Sequence, residues 1–232
     1  PSDNMQPTEE QRLAESWDIN AAAWTQSVRE GLIRSRRLVT DQAITDAVLL
    51  RRPTRVLDAG CGEGWLARKL ASQGINVTGF DGSEALIADA QQQGGGSFIN
   101  LNYEDFCARP QVAGEHFEVV VFNFALLSEN MAPILRAASE ILAPGGCILI
   151  QTLHPVEASQ GDRYENGWRE ERFAGMGEGY QAAMPWFFRT LGSWWEELRL
   201  SELECSAVEE PLHPETSRPA SLLLSAVPRR QT

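Results

Sequence analysis

The sequence predicts an α/β protein built on a doubly wound, mostly parallel sheet. Three observations predict it. Apolar runs of strand length alternate with helical periods from Arg55 to Leu153, the links between them are short, and one run, "FEVVVFNF" (117–124), is apolar almost throughout. Alternation with short links means βαβ units, and a near-continuous apolar run marks a central strand covered by helices on both faces.

Each element follows in order. "RVLDAG" (55–60) reads as a buried strand, and "WLARKLASQG" (65–74) as a helix with Trp65, Leu66, Leu70 and Ala71 on one face and Gly74 placed to end it. "INVTGFD" (75–81) is the second strand, and Ser83 is placed to cap the helix "EALIADAQQQ", which a "GGG" run breaks. "SFINLN" (97–102) reads as a short third strand and 117–124 as the fourth. "ENMAPILRAASEIL" is the next helix, with Pro133 required in its first turn. "PGG" then turns into a fifth strand, "CILIQTL" (147–153). Such sheets hold ligands at the carboxyl ends of their strands, near the point where strand order reverses.

Composition narrows the function. With 232 residues, 43% hydrophobic and 8% aromatic, the chain can bury one full core plus an elaboration. The formal net charge is -12 and Lys69 is the only lysine, so nucleic acid and anionic membrane are poor partners. No run approaches the ~20 apolar residues of a membrane span, and "PSDNMQPTEEQRLAESW" is polar rather than signal-like, so a cytoplasmic protein is expected. Cys61, Cys107, Cys147 and Cys205 are scattered singly, which predicts neither disulfides nor a metal site. Cys61 within the glycine run is read as a small spacer beside a tight turn rather than a nucleophile.

"VLDAGCGEG" carries the chemistry. Gly60, Gly62 and Gly64 keep side chains out of the turn, and the amides opening the next helix favour an anionic group. A dinucleotide or a carboxylate would suit that alone. The spacing, however, is GxGxG, and Asp58 stands where it would repel a pyrophosphate but hold a cationic amine. Asp81 closes the second strand, where a carboxylate suits ribose hydroxyls. The ligand therefore needs an amine, a carboxylate and a free ribose, and S-adenosylmethionine has all three.

"VLDAGCGEG" with "VTGFDGS" closely resembles the first two motifs of class I S-adenosylmethionine-dependent methyltransferases, and "ILAPGGCILI" their turn into the fifth strand. The match runs from about Arg55 to Leu153. It implies a Rossmann-like methyltransferase fold in which Asp58 and the backbone of Gly60, Cys61 and Gly62 bind the methionine part. Asp81 would bind ribose, with Gly82 and Ser83 beside it. The adenine would lie after the third strand, on one of Asn102, Tyr103, Glu104 and Asp105, with Glu104 chosen and Tyr103 beside it. Asn123 and Phe124, after the fourth strand, would floor the site near the methyl-bearing sulfur. Strand alternation places Phe122 in the core and leaves Phe124 between core and floor. The tail, "WFFRTLGSWWEEL" and then "EEPLHPETSRPASLLLSAV", is similar to that of the ubiquinone and menaquinone biosynthesis methyltransferases. On that resemblance "ECSAVEEPL" and "SLLLSAV" complete seven strands.

Four segments result: a helical cap (1–50), the cofactor-binding core (51–153), a lid inserted after the fifth strand (154–190), and a terminal helix with the last two strands (191–232). In the first, Trp17, Ala21, Trp24 and Val28 form one helical stripe, which either covers the cofactor or packs on the sheet edge. The lid has no clear period and is too long for a plain connection. Its aromatic residues, among them Trp168, Trp186 and Phe188, suit a small, apolar or aromatic acceptor, although each one alone could be packing. Trp24, Trp186, Phe188 and His213 are the expected acceptor contacts. His154, directly after the fifth strand, is the expected general base, unless it only closes the strand end. His213 is a second choice and His116 a surface residue. Arg189 reads as a structural ion pair rather than a partner for an acceptor carboxylate.

The expected activity is transfer of a methyl group to oxygen or nitrogen of a small molecule, leaving S-adenosylhomocysteine. A non-catalytic binder of the cofactor is the alternative, and a nicotinamide oxidoreductase on the same fold is a more distant one. The acceptor's identity and the oligomeric state are open.

Overall fold

The structure, a computed structural model, describes residues 6–229. The elements in chain order are α1 (Glu9–Arg29), α2 (Asp41–Leu49), β1 (Arg55–Ala59), α3 (Trp65–Ala71), β2 (Asn76–Asp81), α4 (Glu84–Gln93), β3 (Ser97–Asn100), α5 (Tyr103–Ala108) and β4 (Phe117–Asn123). They continue with α6 (Ala132–Glu140), β5 (Leu142–Thr152), α7 (Pro155–Ala158), β6 (Gly167–Glu171), β7 (Met184–Phe188), α8 (Leu191–Leu200), β8 (Leu203–Glu209) and β9 (Leu222–Pro228). A π-helical turn over Arg36–Thr40 leads into α2.

The expected seven-stranded sheet is present, in the order β3-β2-β1-β4-β5-β9-β8. The first five of these strands are parallel, and β9 runs antiparallel to both β5 and β8. β1 lies between β2 and β4, so the winding reverses there, and the crevice at the carboxyl ends of β1 and β4 is the ligand position for such a sheet.

The sheet is central because its strands are apolar on both faces. Leu57, Phe80, Phe122 and Ile150 face one core with Phe106, Leu135 and Trp194, and Val56, Val77, Val121 and Leu149 face the other with Ile44, Leu66, Leu70 and Ile87. Phe122 is completely buried, and each such large side chain removed from water contributes roughly 1.5–3 kcal/mol. Ser83 caps α4 by accepting from the Leu86 amide at 3.3 Å, and Pro133 sits in the first turn of α6.

Three local differences have physical causes. The third strand ends at Asn100 because Asn102 caps α5, its Oδ1 accepting from the Asp105 amide at 2.8 Å. The "PGG" turn lies inside β5: Leu142 pairs with Phe117, the register shifts before Val119, and the extra residues bulge out. Gly146 permits this, since a Cβ there would stand 2.9 Å from the carbonyl oxygens of Ala143 and Phe117. The segment 154–190 is not structureless, because β6 and β7 pair as an antiparallel ribbon, with Trp168 opposite Phe187 and Arg169 opposite Trp186. Charge at Arg169, Glu170 and Glu171 hid the strand period there.

Candidate active site

The glycine loop lies at the reversal point and is packed so closely that its composition is dictated. Gly60 has φ +72°, and a Cβ on it would stand 2.6 Å from the Ala125 Cβ and 3.1 Å from the Tyr103 hydroxyl. The Gly60 and Cys61 amides both donate to the Phe80 carbonyl, at 2.8 and 2.9 Å. Gly62 donates its amide to Asp81 Oδ2 at 2.9 Å, so this loop amide serves Asp81 rather than facing outward. Cys61 is buried with its sulfur 2.9 Å from where a Gly79 Cβ would stand, and burial pushes the thiol well above its ordinary range. It is a spacer in the protonated form.

Two acids flank the loop in different states. Asp58 is 2% exposed, and among the described residues no donor reaches its carboxylate. Burial first, and the neighbouring Asp81 second, push it up to about 7. Asp81 is raised by burial but held down by two backbone donors, the Ser83 amide at 2.9 Å on Oδ1 and the Gly62 amide on Oδ2. Each oxygen of Asp81 keeps a lone pair free. Gly82 accepts from the Asn100 side chain through its carbonyl, and the Ser83 hydroxyl donates to Asp18 of α1 at 2.6 Å.

After β3, Tyr103 turns under the loop and donates its hydroxyl to the Ala125 carbonyl at 2.8 Å. Glu104 is exposed in the first turn of α5. After β4, Asn123 Oδ1 accepts from Gln151 at 2.7 Å. Phe124 is partly exposed and held at φ +53°, a conformation that costs a non-glycine residue on the order of 1–3 kcal/mol. Its amide donates to the Gln151 carbonyl at 2.8 Å.

The α1 helix and the segment 154–190 close over this floor together. The Trp24 indole nitrogen is 3.6 Å from a Cβ position on Gly62, and Trp17 meets Trp24 edge-on at 5.2 Å. Asn20 is fully buried: its Oδ1 accepts from the Gln181 and Ala182 amides and its Nδ2 donates to the Ala182 carbonyl. Tyr180 donates to Ser27, and Ser27 to the Met176 carbonyl. α1 is thus both a cover over the glycine loop and a packing partner of α4, to which Thr25 is bonded through Asp89. Trp17, Trp24, Leu127, Trp168 and Trp186 surround one apolar cluster between α1, the end of β4 and the β6–β7 ribbon. Beside it lies an open cleft of about 500 Å³, in which Leu153, Trp168 and Trp186 stand with the charged Asp162, Arg169, Glu170 and Glu171.

The remaining expected residues divide. Phe188 is 1% exposed, packed against Tyr164 and Trp186 under the Arg169 guanidinium, so it offers no surface and is a packing residue. His213 lies in the β8–β9 turn, where its Nδ1 accepts from the Glu215 amide at 3.2 Å. His154 is buried, its Nε2 is 2.7 Å from Glu210, and its Nδ1 is sealed without a partner. His116 is exposed. Arg189 is buried against Glu197 at 3.2 Å and the Ser128 carbonyl at 3.2 Å, with burial lowering its pKa, as a structural ion pair.

Three charged residues escaped the sequence reading. Arg36, in the π-helical turn, is 8% exposed and sandwiched between Trp24 and Trp65, 5.5 and 4.9 Å from their ring centres. Its Nε donates to Asp41 at 2.9 Å, and its Nη2 is buried with no partner. Glu63, inside the glycine loop, is fully buried between Arg29 of α1 at 3.1 Å and Arg68 of α3 at 2.6 Å. Glu210 is the partner of His154. Nothing in their sequence surroundings marks Arg36 or Glu210; Glu63 alone stands within a motif.

Comparison with known proteins agrees with this geometry. Residues 32–198, more than two thirds of the chain, match the family described as "Methyltransferase domain". A ubiquinone biosynthesis O-methyltransferase of Marinobacter nauticus is 31% identical over 105 residues, 43% of this chain and 44% of that enzyme. The match therefore spans less than half of that curated relative. Among solved structures, an S-adenosylmethionine-dependent methyltransferase from Mesorhizobium loti superposes with a TM-score of 0.58 at 23% identity, over 78% of this chain and 95% of the other. The 1,6-didemethyltoxoflavin N1-methyltransferase of Burkholderia thailandensis superposes with a TM-score of 0.61 at 18% identity, over 99% of this chain and 94% of the other. Glycine loop, flanking acids, strand order and family match converge: the chain belongs to the methyltransferase-domain family, on the class I S-adenosylmethionine-dependent methyltransferase fold.

Proposed function

We propose that this chain transfers a methyl group from S-adenosylmethionine to a small, apolar or aromatic acceptor, leaving S-adenosylhomocysteine. One observation carries the reading. A loop with no room for a Cβ at Gly60 lies between a buried carboxylate without a donor, Asp58, and a carboxylate fixed by the loop itself, Asp81. The names of the curated relatives and solved neighbours support it.

The residues present fit such a cofactor. Asp58 is matched to an ammonium group, and the orphaned Nη2 of Arg36 to a carboxylate beside it. The free lone pairs of Asp81 are matched to ribose hydroxyls, with Glu104 at the start of α5 reaching the base and Tyr103 supporting the loop from below. When bound, the sulfonium supplies a methyl carbon already activated for displacement. The protein then has to orient the acceptor and exclude water, which the Trp17, Trp24, Trp168 and Trp186 surroundings are suited to do.

A hydroxyl acceptor also has to lose its proton. Glu210 occupies His154 Nε2 and Nδ1 is sealed, so on this reading the proton passes to water and His154 closes the end of β5. In the division of labour, 1–50 covers, 51–153 binds the cofactor, 154–190 shapes the acceptor site and 191–232 completes the sheet. No described helix is long and apolar enough to cross a membrane. The cytoplasm is the expected compartment and a small molecule, not nucleic acid, the expected partner, on the charge grounds given above.

The test is transfer of isotope-labelled methyl from S-adenosylmethionine to a panel of small aromatic acceptors. Labelled product that requires Asp58 and Asp81 supports the reading. Absence of cofactor binding refutes it.

A further inference from the structure

Gln151 is 1% exposed and fully bonded. Its amide nitrogen donates to the Thr40 carbonyl at 3.0 Å and to Asn123 Oδ1 at 2.7 Å, and its oxygen accepts from the Ser221 hydroxyl at 2.9 Å. A carbonyl can only accept, so Thr40 fixes which end of Gln151 is nitrogen. The second hydrogen of that nitrogen then fixes the facing end of Asn123 as oxygen. The Asn123 amide nitrogen is left over, without a partner among the described residues and not sealed from the crevice. A backbone carbonyl in the π-helical turn thus decides, through Gln151, that the site floor presents a donor.

Asn123 lies on the same sheet face as Asp58, since Asp58 pairs with Val121, two residues earlier in β4. Two strand residues advance about 6.6 Å. With an amine held at Asp58, Asn123 lies toward the far end of the short methionine chain, where the methyl group is carried. A donor has nothing to offer a sulfonium cation. It is matched to a lone pair on the incoming acceptor.

Granting the methyl-transfer reading above, we propose that Asn123 selects oxygen over nitrogen as the methylated atom and that Gln151 is the positioning residue that makes it do so. A neutral amine has one lone pair, which must point at the methyl carbon, so it cannot also accept from Asn123. A hydroxyl oxygen has two lone pairs and can do both. In the transfer the O–CH3 bond forms as the S–CH3 bond breaks. The electron pair of the broken bond stays on sulfur, and the hydroxyl proton leaves to water.

The experiment uses the full chain with labelled S-adenosylmethionine and matched aromatic pairs, phenol, catechol and hydroxybenzoate beside the corresponding amines. The wild type is compared with Asn123→Asp and Gln151→Glu, and S-adenosylhomocysteine affinity is measured for all three. The wild type should favour hydroxyls by about tenfold or more in kcat/KM, because a site built around one hydrogen-bond polarity rejects the other. Asn123→Asp presents an oxygen in place of the donor, and Gln151→Glu draws the Asn123 NH2 inward and so reverses it. Either variant should move the ratio toward amines by about tenfold, with S-adenosylhomocysteine affinity within about twofold of the wild type. If Gln151→Glu fails to fold, Asn123→Asp decides alone. Preference for amines, turnover of no hydroxyl, an unmoved ratio, or a large loss of S-adenosylhomocysteine affinity in Asn123→Asp would each overturn the assignment. The last outcome would place Asn123 on the cofactor. Failure of the wild type to bind S-adenosylhomocysteine at all would instead defeat the underlying reading, and the assignment with it.

Discussion

The Asp81 carboxylate accepts the Gly62 amide at 2.9 Å, so the acid matched to the ribose also sets the shape of the glycine loop. On the proposed reading, ligand binding and loop geometry share one side chain.

Asp81→Ala should weaken S-adenosylhomocysteine by about 1–3 kcal/mol or more, since it removes the ribose partner and leaves the Gly62 amide unmet. Asp81→Asn should fall between, because only one of its two polar ends can accept. Calorimetric titration decides. An affinity unchanged in the alanine variant would take the ribose away from Asp81.

Asp58 makes binding depend on pH in a direction set by its burial. Its carboxyl is held at about 7, so below that pH the ligand-free chain carries a proton that must leave before an ammonium group can be held. Affinity for S-adenosylhomocysteine should rise with pH up to about 7–8 and then level, with a slope approaching about tenfold per unit on the acid side. Asp58→Asn should bind weakly and without this slope.

The same acid should cost stability. In the unfolded chain it ionises near 3.8 and in the folded chain near 7, so the folded state keeps a proton that the unfolded state releases across this window. Its contribution is present below 3.8 and is lost as pH rises through 7. Asp58→Asn should therefore melt higher than the wild type at pH ~8 without ligand, by about 2–4 °C for each kcal/mol regained. A lower melting temperature would mean that the carboxylate has a stabilising partner in the empty site.

Asn20 ties the segment 154–190 to α1 through three hydrogen bonds to Gln181 and Ala182. Asn20→Ala should strand two backbone amides, cost about 1–3 kcal/mol locally and expose 172–183 to limited proteolysis. Cutting there at the wild-type rate would show that the segment is held by other contacts.

His154→Ala should cost about 0.5–3 kcal/mol of stability, because it empties a buried position at the end of β5, while leaving kcat for a hydroxyl acceptor within a few-fold. A kcat for a hydroxyl acceptor lowered about 100-fold or more in His154→Ala would instead make the ring the general base.

The sheet and the cofactor loop were legible because their constraints are local. A turn that admits no Cβ requires glycine at Gly60, and strands covered on both faces read as unbroken apolar runs at Val119 to Phe122. Arg36, Gln151 and Glu210 were not legible, because each owes its role to a neighbour far away in the chain: Trp65, Asn123 and His154. Phe188 was misplaced for a related reason. Trp186 and Phe188 share one face of β7, and only the observed cover of Arg169 and Tyr164 over Phe188 separates the buried ring from the one that lines the cleft. The β6–β7 ribbon itself was masked by the consecutive charges Arg169, Glu170 and Glu171, which fall on both faces of β6 and break the alternation.

The most direct test of the account is calorimetric titration of the wild-type chain with S-adenosylhomocysteine, beside NAD as a control. One site per chain for S-adenosylhomocysteine and none for NAD, with binding lost in an Asp58→Asn, Asp81→Ala double variant, is the predicted result. No heat with S-adenosylhomocysteine, or binding indifferent to both acids, would contradict it.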